Sequence, residues 1–212
     1  MARDRASRPE ARPLRLFVAI TIPDAARDAI DEAIAPWRER FPKARWVPPE
    51  NRHVTVKFLG STWPRLFEWV VERVVGAAAG HAAFETRLDG LGSFPSPGRA
   101  RVLWAGLDDA DGRMAALAGA VDDALAKEFQ PEKRAFTAHL TVARSDPPLH
   151  LPEEFAATPL TSEGFAVDHL VLFRSHLQRP APRYEVIREC PLGRRSRGPS
   201  RAGVLDPERT FE

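Results

Sequence analysis

The sequence predicts an antiparallel α+β fold, and three observations carry that expectation. Segments with two-residue and with three-to-four-residue apolar periodicity are intermixed, without the strict β-α-β-α alternation of a parallel doubly wound sheet. The pattern HVTV at His53 to Val56 returns as HLTV at His139 to Val142, so the chain carries an internal repeat. A chain of 212 residues with 43% apolar content can also build a real core, in one large domain or two small lobes.

The elements follow in order. Residues 14–22, LRLFVAITI, are rich in β-branched and aromatic types and predict a strand. Pro23 suits the start of a helix, and Ala26, Ile30, Ala33, Ile34 and Trp37 recur at helical spacing as far as about Arg40. A short extended piece over 44–47 leads through Pro48 and Pro49 into a strand over 53–59, which Gly60 is expected to end. An amphipathic helix over 63–79 turns Leu66, Phe67, Val70, Val74 and Val75 inward. Strands over 84–94 and 101–107 flank the turn-rich SPGR. The second half gives a helix over 112–129, a strand over 138–144, and strands near 161–173 and 183–191. Between them DPPLHLPEEFAATP is proline-interrupted and predicts loop with at most a short helix.

The charge sits at the ends. Residues 1–13 hold four Arg against Asp4 and Glu10, and residues 194–212 hold five Arg against Asp206, Glu208 and Glu212. The formal net charge of +2 therefore belongs to the tails, and residues 14–193 are slightly acidic. That argues against a broad duplex-binding surface and leaves room for a small, locally positive pocket. Residues 1–13 are expected to be a disordered extension and 194–212 a disordered basic tail, around a folded domain over 14–193.

The single cysteine, Cys190, excludes an intramolecular disulfide and a thiolate zinc cluster. It is expected to pack as a small strand residue. No segment has the apolar length of a membrane span, and no signal-peptide core follows the charged start, so a cytoplasmic protein is expected. Nothing in the sequence requires more than a monomer.

The repeat carries the chemistry. Six His and nine Thr would give roughly 0.25 His-x-Thr triplets by chance in a chain of this length, yet two occur in matching apolar frames. Strand alternation puts His53, Thr55 and Lys57 on one face and Val54, Val56 and Phe58 on the other. Likewise His139 and Thr141 oppose Leu140 and Val142. In-line displacement at phosphorus needs a base on one side and an acid on the other, which two histidines from separate strands supply. The two hydroxyls can donate to the non-bridging oxygens as charge builds there. Neither motif contains a carboxylate or a second metal-type ligand, so no metal and no cofactor is expected. His81, His150, His169 and His176 lie outside the repeat and read as structural.

At these residues the sequence resembles the 2H phosphoesterase superfamily, and specifically the RNA 2',3'-cyclic phosphodiesterases, also called 2'-5' RNA ligases. RLFVAI at Arg15 to Ile20, RWVPPENRHVTVKFLG at Arg45 to Gly60, GSFPSPGRARVLWAGL at Gly92 to Leu107, HLTVAR at His139 to Arg144 and LFRSHL at Leu172 to Leu177 are similar to that family's successive blocks. The resemblance implies two pseudo-symmetric α+β lobes, each a small antiparallel sheet with outer helices, around a central cleft. It implies His53 and His139 as catalytic residues, Thr55 and Thr141 as phosphate-binding residues, and Arg144 and Phe17 as further substrate contacts. Phe17 shares the strand face of Arg15 and Ala19, which suits a base-facing role or core packing, and the alternative for Arg144 is a surface ion pair.

The activity implied is hydrolysis of a 2',3'-cyclic phosphate on an RNA end or nucleotide to a 2'-phosphate, with His139 as base and His53 as acid. The alternatives are 2'-5' ligation, another 2H phosphodiester substrate, and a non-catalytic nucleotide-binding module. Retention of both His and both Thr speaks against the last, because binding alone needs no matched acid and base.

Overall fold

A computed structural model describes residues 12–193. The expectations for 1–11 and 194–212 fall outside these residues. In chain order the elements are β1 (Leu14–Thr21), α1 (Asp24–Arg40), β2 (Arg45–Trp46), β3 (His53–Thr62), α2 (Phe67–Ala79), β4 (Phe84–Thr86), β5 (Leu88–Phe94), β6 (Ala100–Leu107), α3 (Arg113–Leu125), β7 (His139–Leu149), α4 (Glu153–Ala156), β8 (Phe165–Val167), β9 (His169–His176) and β10 (Arg183–Pro191). Among the described residues no helix is long and apolar enough to cross a membrane.

The main sheet is antiparallel throughout, in the order β10-β9-β1-β3-β7-β6-β5, with β2 added alongside β7. Its two halves mirror each other across the centre: β3 is flanked by β1 and then β9, as β7 is flanked by β6 and then β5. The two small sheets expected from the sequence are thus joined, through one residue pair, Val54 opposite Leu140. β4 and β8 form a separate two-stranded sheet.

The helices cover one face. α1 contributes Ala26, Ile30, Ile34 and Trp37, α2 contributes Val70, Val74 and Ala78, and α3 contributes Met114, Leu117, Val121 and Leu125 to one cluster with Leu16, Val18, Ile20, Val54 and Leu140 from the strands. Fully burying a large apolar side chain stabilises by about 1.5–3 kcal/mol, so this layer anchors the strands that carry the repeat. On the opposite face Phe17, Ala19, Val171 and Phe173 form a second, small cluster with Tyr184 against it. Strand alternation puts that cluster on the side of His53.

Five expectations are corrected. The strand predicted over 84–94 divides at Arg87, where the chain leaves the two-stranded sheet for the main one, and the strand near 161–173 divides at Asp168 in the same way. Phe84, Thr86 and Leu88 are buried in turn across the first break, so alternation continues although the sheet changes. β7 runs on to Leu149 through Pro147 and Pro148, where its recorded partner is β6 alone and a missing N–H can face away from the ladder. Gly60 does not end β3: its φ of +63° takes up a bulge that leaves Leu59 unpaired against β1, and the strand continues to Thr62. α3 stops at Leu125, short of Phe129.

Candidate active site

Both copies of the repeat contain the same second irregularity. On β3, Lys57 pairs with Val18 and Thr55 with Ala19, which leaves Val56 extra. On β7, Ala143 pairs with Leu103 and Thr141 with Trp104, which leaves Val142 extra. An extra residue reverses the side on which the following residues emerge. Lys57 is therefore buried (2% exposed) and Phe58 is 48% exposed, contrary to strict alternation, which put Lys57 outward and Phe58 inward. In the second copy Ala143 is buried and Arg144 is exposed. Phe58 and Arg144 are thus counterparts, each five residues after its histidine and each turned out by the bulge. The buried ammonium of Lys57 is met by the Asp122 carboxylate and by the Gln130 carbonyl oxygen at 2.7 Å, which ties β3 to α3.

Register brings the motifs together. The Val54–Leu140 pair lays the strands of the two motifs alongside each other, and His53, Thr55 and Thr141 line one cavity. Each histidine is held in the same way: Nδ1 lies 2.9 Å from the carbonyl oxygen of Asn51 in His53, and 2.7 Å from that of Thr137 in His139. A carbonyl oxygen only accepts, so Nδ1 must carry a proton and Nε2 is the atom left for chemistry. Asn51 also donates its side-chain Nδ2 to the Pro182 carbonyl at 2.8 Å, which ties the turn before His53 to the β9–β10 hairpin.

A cavity of about 440 Å³ opens on this face, lined by residues that include His53, Thr55, Thr141, Arg144, Phe17, Phe58, Arg15 and Tyr184. His139 is not part of that wall. It stands on the same strand face as Thr141, edge-on to Phe94 at 5.0 Å and to Trp104 at 6.2 Å between ring centroids. Trp104 lies flat on the backbone of Gly92, where a Cβ would come within 2.2 Å of the indole. The Arg144 guanidinium reaches Thr141 Oγ1 at 3.5 Å.

The two histidines sit in different surroundings. Phe17 stacks on His53 at 4.8 Å and Tyr184 meets its edge at 5.2 Å. Burial lowers the His53 pKa to about 4; the Asn51 hydrogen bond opposes this and the charge of Arg144 adds to it. Burial also pushes the Tyr184 hydroxyl above its usual range, against the pull of Arg144 and Arg15. Phe17, for which a base-facing role and core packing were both expected, is 2% exposed and backs the His53 ring. The more exposed ring in the cavity is that of Phe58, 48% exposed, with Phe17 6.2 Å away and the Arg15 guanidinium 5.0 Å from its centroid.

The sequence reading missed Phe58, Arg15, Asn51 and Tyr184. The offset from His139 to Arg144, applied to His53, points to Phe58. Three of the remaining histidines have local partners and are not among the cavity's lining residues: His81 with the Ala77 carbonyl, His169 with Asp168, and His176 with Glu185. Cys190 is fully buried in β10. Among the described residues no group of three or more metal-type side chains is gathered.

The pattern of the 2'-5' RNA ligase superfamily matches residues 26–179. An RNA 2',3'-cyclic phosphodiesterase of Thermus thermophilus is 33% identical over 195 residues, covering 84% of this chain and 90% of that protein. One from Geobacillus stearothermophilus is 29% identical over 179 residues, 83% of this chain; this chain spans 56% of that protein's length. Among solved structures, a protein of Thermus thermophilus superposes with a TM-score of 0.74 at 28% identity, over 86% of this chain and all of that one. Escherichia coli LigT complexed with 3'-AMP superposes with a TM-score of 0.69 at 25% identity, over 85% and 98% of the two chains.

Proposed function

Because the chain belongs to the 2'-5' RNA ligase superfamily, we propose that it hydrolyses 2',3'-cyclic phosphates at RNA ends or on nucleotides, without a metal, leaving a 2'-phosphate. The observation that carries this reading is the matched holding of the two imidazoles, each with Nδ1 at a carbonyl oxygen, on two strands that the Val54–Leu140 pair joins.

His139 Nε2 takes a proton from water as the water oxygen attacks phosphorus. The bond from phosphorus to O3' breaks in line, and His53 delivers a proton to O3'. The phosphate stays on O2' and the 3'-hydroxyl is restored; His139 is left with the proton from water and His53 without one, and proton exchange with solvent returns both rings to their starting states. Thr55, Thr141 and Arg144 donate to the non-bridging oxygens, where negative charge grows in the transition state. Arg144 is pre-positioned by its contact with Thr141. Phe58 offers the terminal base a stacking surface, and Phe17 fixes the plane of His53 from behind.

The test is a panel of 2',3'-cyclic nucleotides, cyclic-ended oligonucleotides and 2'-5' linked dimers, run with excess EDTA, with products identified by the position of the phosphate. A 2'-phosphate formed in EDTA is expected. No turnover of any cyclic phosphate, or a 3'-phosphate product, contradicts the reading, and activity that only a divalent ion restores would reassign the histidines as ligands. The superfamily's name supports ligation as a second reading, in which an excess of 5'-hydroxyl RNA competes with water.

A further inference from the structure

Four of the five tryptophans have an evident place. Trp37 donates Nε1 to Thr158 and Trp46 donates to the Phe41 carbonyl. Trp69 packs on the main core with Arg73 over its ring, and Trp104 lies on Gly92 beside His139. Trp63 has none. It is 53% exposed and, among the described residues, it joins no core cluster, stacks on no ring and forms no side-chain hydrogen bond. Among the described residues nothing covers this indole, so its face is open to a stacking partner.

Its position says which partner. Trp63 continues the extended path of β3 by one residue, at φ −68° and ψ 140°, before the turn at Pro64–Leu66. Thr62, the residue before it, is buried on the helix side at 1%, so alternation turns Trp63 to the cleft side. Along that side β3 presents His53, Thr55 and Phe58, then Ser61 paired with Arg15, and continued alternation sets Trp63 next, just past the end of the strand. Phe58 and Trp63 lie roughly 15 Å apart along the strand. Arg15 stands between them and Arg65 follows Trp63, both without a carboxylate within ion-pair distance among the described residues. Aromatic rings alternating with guanidinium groups that meet no carboxylate among the described residues match a single nucleic-acid strand, whose bases stack while its phosphates meet the cations.

We propose that Trp63 is an outer base-stacking subsite, at which an RNA strand that ends in the cavity rests a base upstream of its terminal nucleotide. This rests on the reading of the cavity as a site for RNA ends. The enzyme then discriminates by length: a cyclic-ended oligonucleotide reaches Trp63 and a cyclic mononucleotide does not.

The experiment compares wild type, Trp63→Ala and Trp63→Phe on a 2',3'-cyclic mononucleotide and on a trinucleotide with the same cyclic end. Wild type should show a higher kcat/KM on the trinucleotide. Trp63→Ala should lose roughly tenfold of that preference, about the worth of one base stacked on an aromatic ring, and Trp63→Phe should keep most of it. Anisotropy of a labelled trinucleotide ending in a 2'-phosphate gives a readout independent of turnover, with the same ranking expected. Equal kcat/KM on the two substrates in wild type, or an unchanged preference and unchanged binding in Trp63→Ala, overturns the subsite. If neither substrate is turned over, the proposed function fails, and the binding ranking still decides whether Trp63 holds the strand.

Discussion

His53 and His139 are held by the same device: in each, Nδ1 donates to the carbonyl oxygen of the residue two positions earlier, Asn51 at 2.9 Å and Thr137 at 2.7 Å. In the neutral state both rings therefore carry their proton on Nδ1 and offer the Nε2 lone pair to the cleft. Long-range ¹⁵N–¹H spectra should show this tautomer for both, and added inorganic phosphate should perturb Nε2 more than Nδ1. A proton found on Nε2 of either ring in the free protein would break the equivalence on which the acid–base pair rests.

Burial gives His53 a pH signature that can be read without substrate. Its folded pKa, about 4, is depressed below the ordinary imidazole value of 6.5. The unfolded chain then binds the extra proton between those values, so this contribution to stability is present above about pH 6.5 and is lost as pH falls toward 4. It amounts to on the order of 3 kcal/mol. Urea unfolding of wild type and His53→Gln at pH 7 and pH 4.5 should show the variant losing less stability on acidification, and equal losses would count against a depressed pKa.

The same residue should behave differently once substrate is bound. One negative charge ~5 Å from the ring, at an effective dielectric of ~20, favours protonation by about 3 kcal/mol, or roughly two pK units. The acid limb of kcat/KM, which reports the free enzyme, should therefore lie at lower pH than the acid limb of kcat, which reports the complex. Both limbs belong to the coupled pair. Coincident acid limbs would show that anion binding leaves His53 unmoved.

Lys57 fixes the bulge from behind. Removing one member of a buried ion pair strands the other and costs ~3–5 kcal/mol, whereas replacing both by apolar groups is far milder. Lys57→Met should lower the urea midpoint strongly, and the double variant Lys57→Met with Asp122→Leu should recover most of that loss. A single variant as stable as wild type would mean that the pair does not hold β3 to α3.

Much of this site was legible in the sequence, and the limit of its legibility is physical. Residues whose period stays constant lie where alternation puts them: the helix stripe Ala26, Ile30, Ile34 and Trp37 is buried, and His53, Thr55 and Thr141 line one cavity. Arg144 joins them only because the bulge at Val142 turns it out, and it was reached through the resemblance. The bulge at Val56 was hidden because hydropathy agrees with the unbulged register, which sends the charged Lys57 outward and the apolar Phe58 inward. What overrides that preference is tertiary: Asp122 and the Gln130 carbonyl make burial of the ammonium tolerable, and nothing local to β3 announces them. The division of 84–94 was hidden in a different way, since Phe84, Thr86 and Leu88 keep one burial rhythm while the chain changes sheets. Tyr184 and Asn51 come to His53 from distant or irregular segments, where periodicity carries no information.

Gly92 should prove intolerant of even one methyl group. A Cβ there would come within 2.2 Å of Trp104, and the indole, edge-on to His139, would have to move. Gly92→Ala is expected to destabilise by ~1–3 kcal/mol and to lower kcat. Adding Trp104→Leu should restore stability but not the wall beside His139. If Gly92→Ala retained both stability and kcat, the packing around His139 would have no part in catalysis.

The division of labour between the two histidines is the central claim, and the leaving group tests it. Replacing either His53 or His139 by Ala should slow hydrolysis of a 2',3'-cyclic phosphate by at least the ~10²–10⁴-fold expected for loss of an acid or a base. A phosphodiester with a very good leaving group needs little protonation as it departs. On such a substrate His53→Ala should recover most of its rate and His139→Ala should not. The reverse pattern would exchange the two roles, and rescue of neither would contradict acid–base catalysis by this pair.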